Sequence, residues 1–221
     1  MLTFTACLAA IATCSFAVAL VATGQAIFAA ACGVATLATV VVIRRFGLGP
    51  WGYSAIAAAA LVGAISIVAL QPRDRTADLT LAFAAHAPAP LVAITQRILM
   101  ETSWSGTGAG TFAALLPIYR DIDELMIGPA APTAAAAIAV EMGRPALWAM
   151  VITAIALIMT LLRAALRRGR DSFYPAAGAG CLVALMLLAF GNAGLFSTAV
   201  SIVAAAILGV AFAQSKSRSI Q

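Results

Sequence analysis

Charged side chains are scarce in this chain. Of its 221 residues, 10% are Asp, Glu, Lys or Arg, whereas a soluble domain carries about 25%. So few charges exclude a water-facing surface wrapped around a single core. Hydrophobic residues make up 63%, and the mean hydropathy is +1.05. The composition is that of an integral membrane protein.

Metal-ligating residues are also sparse. His86, in AAHAPAP, is the single histidine. Cys7, Cys14, Cys32 and Cys181 lie inside apolar runs, with no CxxC or Cys/His spacing. No metal or cofactor is expected from such a set, and the cysteines read as small buried hydrophobes. His86 reads as a loop residue bounded by Pro88 and Pro90, with a general base as the sharper alternative. A basic-aromatic stripe is missing too, so the net charge of +5 does not point to nucleic acid. Repeats, Pro-rich linkers and low-complexity tails are absent, which leaves one domain, 1–221.

What is present is a series of long apolar runs. Residues 54–70, SAIAAAALVGAISIVAL, are typical. Continuous Ala/Leu-rich runs suit helices rather than the short alternating strands of a barrel. The expected fold is all-α and polytopic, with about six transmembrane helices near 1–23, 26–43, 54–70, 145–162, 174–190 and 195–213. The first run has no Lys or Arg in front of it. It therefore reads as an uncleaved helix rather than a signal peptide, with cleavage near Gly24 to Ala26 as the alternative.

Residues 71–144 break the pattern. Within them Arg73, Asp74, Arg75, Asp78, Arg97, Glu101, Arg120, Asp121, Asp123 and Glu124 are charged. A charge at the bilayer centre costs about 2.5–3.5 kcal/mol, so this region stands outside the membrane. Leu91, Ile94, Ile98 and Leu99 fall at near-helical spacing, as do Phe112, Leu115, Leu116, Ile118 and Tyr119. Both sets predict short helices, over Leu91–Met100 and Phe112–Ile122, lying on the membrane surface or against the bundle. Pro145, after the interruption at Glu141 to Arg144, suits the first turn of the next span.

Arginine placement orients the chain. Arg44, Arg45, Arg163, Arg167, Arg168, Arg170, Lys216 and Arg218 collect on one face, with Asp171 the acid among them. Positive loops stay cytoplasmic. Both termini are then inside, and 71–144 is outside.

Candidate chemistry concentrates in Gln96 to Glu124, QRILMETSWSGTGAGTFAALLPIYRDIDE. Gly106, Gly108 and Gly110 resemble a phosphate loop but lack the Gly-Lys-Ser/Thr of a Walker motif and the spacing of a dinucleotide fingerprint. They predict either a flexible turn or backbone N–H groups facing an anionic head group. Arg97 and Arg120 are candidate phosphate contacts, since a guanidinium holds its charge and binds bidentately. The alternative is local pairing, Arg97 with Glu101 and Arg120 with Asp121 or Asp123. Glu141 and Arg144, three apart, read as an ion pair or as a gate at the start of a span.

These pieces, in order, resemble the C-terminal part of the O-antigen ligase-like family of bacterial polysaccharide ligases and polymerases. They are Arg97, Trp104, Gly106 to Phe112, Pro117-Ile118-Tyr119-Arg120 and Glu141-Met142-Gly143. The resemblance covers roughly residues 54–213. It implies the bacterial inner membrane, with 71–144 in the periplasm, and glycan transfer from an undecaprenyl-diphosphate carrier without a metal. Arg97 would contact the diphosphate, and Gly106, Gly108, Gly110, Tyr119 and Arg120 would complete the binding residues. Members usually carry a His-Asn pair before Glu-x-Gly, where this chain has Pro132 and Thr133. They are also longer, and the arginine of their N-terminal half is matched here only by position, by Arg73 and Arg75. Enzyme or not therefore stays open. The expected partners are membrane lipid, an undecaprenyl-diphosphate-linked glycan and other membrane protein subunits. The alternative reading is a non-catalytic subunit of a larger membrane complex.

Overall fold

The computed structural model describes residues 24–45, 80–81, 84, 87–119, 131–167 and 172–216. Among them there are helices and no strand. In chain order they are α1 (Gly24–Arg45), α2 (Ala89–Glu101), α3 (Phe112–Leu115), α4 (Ala134–Glu141), α5 (Arg144–Arg167), α6 (Phe173–Gly191) and α7 (Thr198–Lys216). A 3-10 turn, Leu116–Ile118, follows α3, and another, Gly194–Phe196, precedes α7.

Three helices are long and apolar enough to cross a membrane: Arg144–Leu166 in α5, Phe173–Gly191 in α6 and Thr198–Ser215 in α7. They correspond to the last three expected spans. α1 takes the place of the second, with a shorter apolar stretch, Ile27–Val41. The first and third expected spans, 1–23 and 54–70, lie outside the described residues. Hydroxyls within the apolar helices are closed on their own backbone. Thr36 donates to the Cys32 carbonyl at 2.8 Å, Thr39 to Ala35 at 2.7 Å, and Thr153 to Ala149 at 2.8 Å. In hydrocarbon a hydroxyl without such a partner would be costly.

α6 is the hub, with α1, α5 and α7 all packed on it. Glycine makes this possible. A Cβ at Gly33 would lie 2.8 Å from the Gly180 carbonyl oxygen, and one at Gly180 would lie 2.6 Å from that of Gly33. The backbones of α1 and α6 touch there, as small residues allow. Gly178 gives Ala211 of α7 the same room. Val40, Leu161, Leu162, Ala165, Ala176, Ala179, Leu182 and Ala211 fill the core between these helices. Those residues lie toward the arginine-bearing ends of α1 and α5.

A second core sits at the opposite end, around α4. Ala134, Ala135, Ala136 and Val140 are fully enclosed. Leu91, Ile94, Ile98 and Leu99 of α2 pack into this core with Phe112, Leu116 and Leu147. The four apolar positions expected on α2 are therefore all buried. α4 is buried on every side because its side chains are mostly methyl groups, so its neighbours approach closely. Its polar start is satisfied internally. The Thr133 hydroxyl accepts from Ala136 N at 3.0 Å and donates to the Thr80 carbonyl at 2.8 Å. Ala134 N donates to the Asn192 carbonyl at 3.0 Å. This is an N-cap built into the interior.

Some boundaries depart from expectation. The helix expected over Phe112–Ile122 closes after one α-turn and one 3-10 turn. Pro117 offers no N–H and obstructs the preceding carbonyl. Ile118 is 74% exposed rather than packed. α5 runs on to Arg167, past the expected end at 162. α7 begins at Thr198 rather than 195, because Asn192 accepts from Gly194 N at 2.7 Å and holds a turn first.

Candidate functional site

The site is the segment of α2, the glycine loop and α3 laid over α4. α2 presents Arg97 on its exposed face. Among the described residues Arg97 makes no hydrogen bond or ion pair. The alternative pairing with Glu101 does not form; Glu101 Oε2 instead accepts from the Tyr119 hydroxyl at 2.7 Å. That bond ties the end of α2 to the end of the Leu116–Ile118 turn. It also pushes the Tyr119 phenol above its ordinary range, with partial desolvation and the Glu101 charge acting in the same direction.

Between these two elements runs the glycine loop. Gly106, Gly108 and Gly110 have φ of 82°, 113° and 77°, a region glycine enters without a steric cost. The loop is a plug rather than a free turn. Thr107 N donates to the Val140 carbonyl and Gly108 N to the Glu141 carbonyl, both at 2.9 Å. These carbonyls are left over at the C-terminus of α4. The Thr107 hydroxyl adds a bond to Val140 at 3.1 Å. Gly106 N turns back to the Ser103 carbonyl at 3.0 Å. The N–H groups of 106–108 are thus committed to protein, and Ala109 and Gly110 form the exposed tip.

Glu141 and Arg144 face different partners. Glu141 Oε1 accepts from Phe112 N at 3.3 Å, at the start of α3. Arg144 reaches the Leu99 carbonyl at 3.2 Å, and its guanidinium lies 5.9 Å from the centre of the Trp104 ring. Gly143, φ 90°, lets the chain turn from α4 into α5. A side chain there would run into the Trp104 carbonyl and the Ser105 backbone.

The sequence therefore named Arg97, Tyr119 and the three glycines, and the structure joins Tyr119 to α2, brings Gly106 and Gly108 against the end of α4, and leaves Gly110 at the exposed tip. Arg120 and His86 lie outside the described residues. Sequence reasoning did not single out Thr133 as a cap, although Thr before an Ala run is a cap signal. Nothing local could reveal the contact of Trp104 with Arg144, which are forty residues apart.

No protein-family model matches the chain, and neither a curated protein nor a solved structure matches it.

Proposed function

We propose that this is a bacterial inner-membrane protein of surface-polysaccharide assembly that binds an undecaprenyl-diphosphate-linked glycan at its outer face through Arg97. What supports the reading is that Arg97 is exposed and unpaired among the described residues, on a helix fixed by the second core. A guanidinium free of protein partners is ready to take a phosphate bidentately. The exposed tip at Ala109 and Gly110 is the part of the glycine loop left for a ligand, since Gly106 N is held by Ser103 and Thr107 and Gly108 cap α4.

The role is binding, without turnover at the place where the resembled family keeps its histidine. Pro132 and Thr133 stand there, both buried. The Thr133 hydroxyl is held by Thr80 and Ala136, so it reaches no acceptor sugar.

Arg97→Ala tests this. The reconstituted protein should bind undecaprenyl diphosphate, and the variant should lose roughly tenfold or more in affinity, the loss of about 1.5–3 kcal/mol expected for a charged hydrogen bond. Equal binding by the two proteins removes Arg97 as the carrier contact.

A further inference from the structure

A large apolar side chain exposed beside a membrane span has two places to go, water or lipid. Trp104 is 72% exposed, although it belongs to a folded segment. Its position is fixed from two sides. Its backbone is packed against Gly143, and its ring sits 5.9 Å from the guanidinium carbon of Arg144. Arg144 in turn is tied to the Leu99 carbonyl at the end of α2.

Arg144 opens the span, which sets the depth. Arg144–Leu166 has 23 residues, about 35 Å at 1.5 Å per residue. The hydrocarbon layer is about 30 Å thick. The first turn of α5 therefore rises out of hydrocarbon into the head-group layer, which is about 5–8 Å deep on each side. Trp104 lies within that depth of Arg144. Trp148, one turn further along α5, is 47% exposed at the same boundary. From there Ile152, Ile155 and Met159 continue an exposed apolar face along the span. Met100 and Met142, 72% and 56% exposed, adjoin the residues that hold Trp104.

We infer that Trp104, braced by Arg144, is a lipid-interface anchor that seats the outer segment in the head-group layer of the bilayer. Tryptophan suits this layer, with an apolar ring and one N–H for the wet side. The occupant is lipid because the surface continues directly into the exposed face of a membrane-length helix. This inference does not depend on Arg97 or on any glycan.

The test uses the full chain in lipid vesicles with Trp51→Phe and Trp148→Phe, leaving Trp104 as the sole indole. Lipids brominated near the head-group end of the acyl chains should quench its emission several-fold more than lipids brominated at the chain end, and aqueous iodide should quench it little. Strong iodide quenching without bromolipid quenching would place Trp104 in water and overturn the anchor. Protection from both would mean that a second copy or another protein covers it, which overturns the anchor equally. If the tryptophan variants do not reconstitute, Met142→Cys carrying a polarity-sensitive dye gives the same readout with all tryptophans present. A blue-shifted, bromolipid-quenched dye is expected, and the emission of a water-exposed dye contradicts the inference.

Discussion

Tyr119 and Glu101 show how one hydrogen bond settles two roles. By occupying Glu101, the phenol leaves Arg97 without its neighbour on the same helix face. The bond also has a pH signature. The Tyr119 pKa is raised above its free value of about 10. A group raised in the folded state adds stability below its unfolded pKa and loses it as pH climbs through the folded one. The tie therefore holds throughout the neutral range and fails in alkali. Absorbance titration should show a phenolate appearing later than ordinary, and Tyr119→Phe should remove that late component. Glu101→Gln should return it toward the usual range, and a Tyr119 that titrates normally in the parent protein would contradict the geometry. Gly106 and Gly143 are set by two demands at once. Each has positive φ, and a Cβ at Gly106 would lie 2.5 Å from the Glu141 carbonyl oxygen. The sequence left residues 106–110 open between a flexible turn and a phosphate cradle. The N–H groups of Thr107 and Gly108 instead serve the end of α4, because unpaired helix carbonyls in a packed region need donors as much as an anion does.

Among the elements, α6 organises the bundle and α4 the outer segment. The contact of α1 with α6 depends on Gly33 and Gly180. Gly180→Val should push the two backbones apart and cost about 1–3 kcal/mol, the usual range for overpacking. A lowered thermal midpoint in detergent is the readout. Gly209→Val is the control, because a Cβ there meets nothing within 4 Å. Equal midpoints for the two variants would mean that the α1–α6 approach is not close. α4 works in the opposite way, by enclosing methyl groups rather than baring backbone. Its run of alanines is a short helix separate from the span that follows. Gly143 separates the two, since a positive φ ends one helix and lets another leave in a new direction.

For the whole molecule, the arrangement is two cores at opposite ends of one helical body. One lies between the arginine-bearing ends of α1 and α5, and the other lies under the outer segment. On the proposed reading the second end faces outward, as the placement of the arginines leads one to expect. Ser105, exposed in the loop beside the glycines, reports that directly. Ser105→Cys in intact cells should react with a membrane-impermeant thiol reagent supplied from outside, while Cys32 and Cys181, within apolar helices, stay silent. Reaction from the cytosolic side alone would invert the map, and with it the proposed site for a lipid-linked glycan.

The sequence by itself determined the membrane class, the helical character, the last three spans to within a few residues at most of their ends, and the inward face of α2. Each of these follows from hydropathy and from the spacing of apolar residues, which act locally along the chain. Only the tertiary structure decided that Glu101 serves Tyr119, that the glycine loop plugs α4, and that Trp104 meets Arg144. Those pairings join residues 18 to 40 positions apart. They depend on how α2, α4 and α5 come to rest on one another, and no local periodicity records that packing.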